Sequence, residues 1–440
     1  MSTKQITARC QLQQTMSSRS SPLAPVLVLL MMLSGCVTYN QRMSSFEQNL
    51  STGNLQPALT DLDKQTNGDK KSAILFDLNR SLILRLQREF DLSNQSLERA
   101  KSALQPLLAI SLSEQTLASA INDQQRTYLP HGFEQIYIHV FKILNYVALN
   151  DLPAARVEVL QMDVTLNRLN EKNPIPAQNA FPRYLSGVVF EMAAEWDQAL
   201  IAYRKALISF QESQQSPPKF LILDMLRLMD HLGLHAERAR LQKRYAVTVW
   251  TTQKIYQQQG QLLLLIAEGL APIREEAAIQ AVDPKDGELY RISIPRHQNR
   301  LNLTRTPRFQ VSQTQYSSDL LANMNSIAEQ TLTHQIPAIT ARAVARVAVK
   351  HRVVKESTQE APILGLIANV ATVASERADT RTWASLPSGW WAVKIPLEAG
   401  EYQVRPLFAS QTQTVPIRIS PGDFRLMVYH RLGTNTIFGL

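Results

Sequence analysis

Residues 184–207 read YLSGVVFEMAAEWDQALIAYRKAL. Apolar side chains return every three or four positions on both sides of a polar centre at Glu195-Trp196-Asp197, which is the period of a helix. Gly187 and Ala199 are small where two antiparallel helices cross closely. Trp196 covers the turn, and Tyr203 and Ala206 face a following helix. The stretch predicts one unit of helix, tight turn and helix.

The plan recurs on both sides. Upstream, Ile74, Leu75, Leu78, Leu82 and Leu86 form one stripe, a break falls at Arg88–Asp91, and Leu97, Ala100, Leu104 and Leu107 form the next. Another unit runs from Gly132 through Tyr137, Phe141 and Leu144 to Tyr146, turns at Asn150–Pro153 and resumes with Ala155, Val159 and Leu160. A last hairpin is expected over 219–246, turning at Leu232-Gly233. The 184–207 unit resembles a tetratricopeptide repeat, which implies a solenoid of stacked hairpins with a concave face lined by first helices. Ser93, Ala155 and Ala199 hold similar places, yet their spacing exceeds the tetratricopeptide period of about 34 residues. Insertions therefore separate the units, and Pro174, Pro176 and Pro182 mark one of them. A plain helical bundle is the alternative. On the solenoid reading Tyr137, Phe141, Tyr184 and Phe190 are the candidate binding surface, because aromatic rings bury much area at small entropy cost. Filling the core between repeats is the competing role for each.

The pattern changes near Leu262. Gln261–Gly269 is a short apolar run closed by Gly, a buried strand. Leu289–Pro295 alternates, and Arg308–Ser312 is a third strand. Two helices are expected over Met324–Leu332 and Ile336–Arg352, the second carrying Arg342, Arg346, Lys350 and Lys355 near one side. That stripe reads as a solvated face or as a contact with phosphate or acidic groups. Strands return at Trp390–Leu397, Tyr402–Pro406, Val415–Ile419 and Phe424–Val428, with Pro and Gly turns between them. The fold class is therefore α+β: a tetratricopeptide-like helical domain at 72–255, then a mixed domain at 256–440 with a small antiparallel sheet.

The N-terminus reads as targeting. Residues 1–35 hold Lys4, Arg9 and Arg19, no acid, and the apolar run Ala24–Leu33. That run is about ten residues, where a spanning helix needs about twenty, so 1–35 is a signal peptide. Met16 is an alternative start. Leu33-Ser34-Gly35-Cys36 resembles a bacterial lipobox, which implies a lipid on Cys36 and, with Val37 following, outer-membrane placement facing the periplasm. Residues 36–71 carry Tyr39, Met43, Phe46 and Leu50 at helical spacing; a flexible tether is the alternative. Losing the signal lowers the net charge of +9 by three and removes Cys10. Cys36 is then the one thiol left. The mild basic balance suits anionic surfaces, and no nucleic-acid module is present in the sequence.

Three stretches together resemble the COG3014 family of Gram-negative envelope lipoproteins: Tyr39–Leu50, then Gly269-Leu270-Ala271-Pro272-Ile273-Arg274-Glu275-Glu276, then Ala378–Pro387. Arg274 stands where that family has Lys. The resemblance implies an envelope lipoprotein and carries over no catalytic residue. The strongest polar cluster is Glu376, Asp379, Arg381 and Trp383. It reads as an ion network locking a helix to the last sheet, or as a partner site. His231 and His235 are four apart but lack a third ligand, and no nucleophile elbow, phosphate loop or dinucleotide fingerprint occurs. No cofactor, metal or catalytic site is expected. The expected function is a non-catalytic interaction or scaffold module, held to membrane lipid by Cys36 and recruiting an envelope protein, with envelope or peptidoglycan assembly as the process it would serve; a cell-wall or lipid hydrolase with a site in the C-terminal domain is the alternative.

Overall fold

A computed structural model describes residues 39–440 except Asn67, 110–125, 173–174, 176–177, 283–288, 301–304, 361–368, 370–372, 374–375, 409–413, 433–434 and Leu440. Cys36, the signal segment, Pro174 and Pro176 lie outside the described residues. The helices pair as hairpins: α1 (Tyr39–Ser51) with α2 (Leu55–Thr66), α3 (Ala73–Leu86) with α4 (Phe90–Ala109), α5 (Gly132–Ala148) with α6 (Leu152–Lys172), α7 (Ala180–Met192) with α8 (Trp196–Glu212), and α9 (Lys219–His231) with α10 (His235–Tyr245). A short α11 (Gln253–Gln258) leads into the sheets.

The repeat is visible in the backbone. Gly53, Arg88, Asn150, Ala194 and Gly233 all take φ between 56° and 79° at the five turns. The residue after each donates its N–H to the carbonyl five residues back: Asn54 to Asn49, Glu89 to Leu84, Asp151 to Tyr146, Glu195 to Phe190 and Leu234 to Met229, at 2.8–2.9 Å. This closure satisfies the orphan carbonyls of the first helix and fixes the direction of the second. Ser93, Ala155 and Ala199 follow at one shared position and are fully buried. The helical region is thus a tetratricopeptide-like array of stacked hairpins. Its first hairpin begins at Tyr39, with Tyr39, Met43, Phe46 and Leu50 buried as the spacing predicts. The α2 partner buries only Ala58 and Leu62, too thin a stripe to read from sequence.

Among the described residues, eleven strands follow. β1 (Gly260–Glu268) is the centre of a five-stranded sheet ordered β11-β10-β1-β7-β6, with β6 at Asp319–Asn323, β7 at Gly389–Leu397, β10 at Phe424–Leu432 and β11 at Asn435–Gly439. A four-stranded sheet is ordered β5-β4-β8-β9, from β4 (Arg308–Val311), β5 (Thr314–Ser317), β8 (Gly400–Pro406) and β9 (Val415–Ile419). β2 (Ile273–Val282) and β3 (Leu289–Gln298) form a separate antiparallel hairpin. The expected antiparallel sheet needs one correction: β1 pairs with β10 in parallel, Leu264 opposite Met427. β1 is buried at every position, which is the signature of a strand covered on both faces. Its residues alternate between two cores. Leu263, Leu265 and Ala267 face the helices, and Leu262, Leu264 and Ile266 face the four-stranded sheet. The molecule is layered as helices, sheet, sheet.

The two helices expected over 324–352 are one, α12 (Met324–Glu360), which runs through Pro337. Proline costs a helix one internal hydrogen bond and crowds the preceding turn, yet the helix continues through it and packs against β3 further along.

Gly187 is the closest approach within a hairpin. A Cβ there would lie 2.2 Å from Tyr203 Cε1, and Tyr203 is fully buried against Tyr184 with ring centroids 5.6 Å apart. Gly187→Ala is therefore expected to lose about 1–3 kcal/mol of stability through overpacking, read as a lower urea midpoint. An unchanged midpoint would show that the α7–α8 crossing is looser than described.

Candidate functional site

The aromatic residues expected on a concave binding face are in the core. Tyr137 and Phe141 of α5 pack on Trp390 of β7 at 6.1 and 6.0 Å, and Phe181 of α7 stacks on Trp390 at 4.5 Å. Phe141 also meets Trp383 at 5.7 Å. Tyr184 packs between Tyr203 and Phe220, and Phe190 is 6% exposed. The expectation of an exposed face is corrected for all four. The chain's own sheet fills the inner side of the array, so the first helices are not open to a partner through these rings.

A charged seam runs beside them. Lys394 of β7 bonds Asp224 of α9 at 2.8 Å and Glu191 of α7 at 3.1 Å. Arg227 bonds Glu191 at 2.7 Å and Asp224 at 3.3 Å. Tyr203 and Tyr256 donate to Glu191, and Arg227 lies over the Tyr256 ring. All are buried. Burial pushes both carboxyls up. For Glu191 the Arg227 and Lys394 charges outweigh it and hold the group at about 2; Asp224 ends above its ordinary value despite Lys394. The site is a closed ion network, with each charge facing an opposite one. Sequence reading missed it because its members come from three distant elements.

The 376–388 segment behaves as a staple. Glu376 is buried against Arg346 at 2.8 Å and Lys350 at 2.9 Å, both on α12. The basic stripe there is thus partly an internal ion network. Asp379 pairs with Arg381 at 2.8 Å, and Arg381 also donates to the carbonyls of Arg126 and Lys71. Glu134, at the start of α5, accepts from the backbone N–H of Trp383 and His131, both at 2.7 Å, and from the Tyr128 hydroxyl. Burial raises the Glu134 pKa against those bonds. Ser385 N–H reaches Asn79 of α3. The cluster therefore ties the sheet to the array, and Glu376 joins a different pair from Asp379 and Arg381. His231 and His235 are exposed on separate helices. Among the described residues, no three His, Cys, Asp or Glu side chains gather as metal ligands.

What stays open is the outer side of the second helices. Val157, Leu160 and Val164 of α6 are 51, 47 and 68% exposed, and Ile201 and Ile208 of α8 are 41 and 51% exposed. A cleft of about 70 Å³ among α6, α7 and α8 is lined by Leu160, Phe190 and Ile201 together with Asp163, Arg183 and Lys205. The signal was present in sequence as a second stripe on α6, beside the buried one through Ala155, Val159, Met162 and Leu166.

No family model matches the chain, and no curated protein matches it. Solved structures similar to it include MamA from AMB-1 (14% identity, 49% of this chain and 93% of that one, TM-score 0.31). RapI in its apo form is another (12%, 47% and 68%, TM-score 0.35). A Rap protein complexed with competence and sporulation factor is a third (11%, 51% and 57%, TM-score 0.30). At these scores the assignment of the repeat array stands on the turn geometry.

Lys394→Met is expected to destabilise the fold by about 3–5 kcal/mol, because it strands a carboxylate in the seam. The pair Lys394→Met with Asp224→Asn should lose less than the two single changes summed, measured by denaturant unfolding as a double-mutant cycle. Additive losses would mean that the two groups do not interact.

Proposed function

We propose that this chain is a lipid-anchored protein of the Gram-negative envelope that acts as a non-catalytic interaction module. Cys36 carries the anchor, the body faces the periplasm from the outer membrane, and the binding partner is an envelope protein. The lipobox at Leu33–Cys36 and the likeness of Ala378–Pro387 to envelope lipoproteins support the placement. The observation that carries the interaction role is the outer apolar stripe of α6 and α8. Contiguous exposed apolar surface on a folded chain usually marks a contact site. Here the inner face is already occupied, so the outer layer is left as the side-chain surface for recognition.

Two outcomes test the reading. Growth with a palmitate analogue should label the wild-type chain and leave Cys36→Ser unlabelled; equal labelling of both removes the anchor. Leu160→Asp with Ile201→Asp should weaken capture of the membrane partner by at least about tenfold, roughly 1.4 kcal/mol, in crosslinked pull-downs, with unfolding and Cys36 labelling unchanged. Undiminished capture would move the binding face elsewhere.

A further inference from the structure

The sheet edges of this protein are unequal. An unpaired edge strand offers a row of backbone donors and acceptors to any passing strand, and folds usually blunt such edges. Here β5, β6, β9 and β11 are edge strands of only four or five residues. β6 is interrupted by a bulge and β9 contains Pro416. β2 is different. It is ten residues long and pairs on one side with β3. Its distal half, Ala277-Ala278-Ile279-Gln280-Ala281-Val282, has no charge and no proline. Ile279 and Val282 on it are 65 and 60% exposed.

The direction of its backbone groups can be fixed. Asn369 donates its side-chain amide to Leu289 O at 3.2 Å and accepts from Leu289 N at 3.3 Å. Leu289 thus turns both groups away from β2, and its partner Val282 belongs to the same non-bonded pair. In an antiparallel ladder such pairs alternate with bonded ones. Glu276, Ala278, Gln280 and Val282 therefore present their N–H and C=O to the open edge. Arg274 is on the same register, and its carbonyl already accepts from Asn40 of α1. Among the described residues, no strand pairs with β2 beyond β3, and the edge is open from Glu276 to Val282. The far edge of β3 is covered by α12, with Tyr290 OH 2.8 Å from His351 Nδ1, and is capped at Leu289 by Asn369.

We infer that the β2 edge is a self-association surface, occupied by β2 of a second copy in antiparallel register about a twofold axis at Ile279. One open edge on each copy closes as an isologous pair and does not propagate. The antiparallel register sets Glu276 opposite Val282 of the second copy and Ala278 opposite Gln280, so every outward group is bonded. It also keeps Glu275 and Glu276 away from their own images, where a parallel pairing would align them. Ile279 meets its own image in a non-bonded pair, the arrangement with the closest side chains, which accounts for a large exposed apolar residue at the centre of the edge.

The full chain carrying Cys10→Ser and Cys36→Ser has no remaining thiol, so a single added cysteine reports the register. Ile279→Cys in that background should form a covalent dimer on mild oxidation, because facing residues in a non-bonded pair have Cα atoms about 4.5 Å apart. Ala277→Cys would lie about 13 Å along the strand from its image and should give roughly tenfold less dimer. Sedimentation should show a dimer for the parent chain and a monomer for Ile279→Asp with unaltered thermal unfolding. Equal yields at 277 and 279, no dimer at Ile279→Cys, or a parent chain that stays monomeric through the micromolar range would each overturn the inference. None of these readouts depends on the lipid or on the α6–α8 surface.

Discussion

Helix α5 is buried on every side from Phe133 to Asn145, and α7 is nearly so. The apolar side of α5 needs a core, and its polar groups Glu134, Gln135, His139, Lys142 and Asn145 are enclosed as well and need partners. That constraint organises the rest of the chain. The second helices α4, α6 and α8 cover one side, and something must cover the other. β1, β7 and β10 do so, with Trp390 set among Tyr137, Phe141 and Phe181. The array and the sheets therefore share a core, and each depends on the other for burial.

Apolar contact is permissive about register, whereas charges are not. The Lys394, Asp224, Glu191 and Arg227 network sits where β7 meets α7 and α9, and a strand shifted by one residue would turn Lys394 to the opposite sheet face. Lys394 would then lose both carboxylates, and Glu191 and Asp224 would share Arg227 alone. The Glu134 carboxylate plays the same part at the other end of the seam, gripping the Trp383 backbone. Buried ion pairs contribute little net stability over apolar packing; here they select one docking of sheet on helices.

Much of this was legible from residues. The turns at Arg88, Asn150 and Gly233 follow the breaks read there. The turn at Ala194 falls just before the break read at Glu195–Asp197, so that Trp196 and Asp197 open α8. The strands follow Pro and Gly punctuation. The ion network expected among Glu376, Asp379 and Arg381 was read from adjacency alone; Asp379 and Arg381 do pair, and Glu376 pairs with α12 instead. The misplacement of Tyr137 and Phe141 has a physical reason that was also in the sequence. Gln135, His139 and Lys142 recur at helical spacing on the opposite side of the same helix, which makes the side of Tyr137, Phe141 and Leu144 its core face. Long-range charge pairing was not legible, because Lys394 and Glu191 are 203 positions apart and neither carries a local pattern. The parallel β1–β10 pair was hidden for a related reason: a strand buried on both faces has lost the alternation that would reveal its neighbours.

The two outward surfaces differ in kind. The α6–α8 stripe would recognise a partner through side chains, so shape and chemistry at Leu160, Val164 and Ile201 would decide what fits. The β2 edge recognises through backbone groups, which are the same in every sequence; its selectivity comes from which edges are left open and from the charges flanking them. A chain that left several edges open would aggregate. Short strands, a bulge, a proline and the Asn369 cap blunt the others described here. Self-pairing can then coexist with partner binding, because a substitution that changes the stripe leaves the backbone row of β2 intact, and a charge placed at Ile279 leaves the stripe intact. If both surfaces operate, doubling the chain through β2 presents two stripes in fixed relation, and a partner with two matching sites would bind the second without a further search through solution.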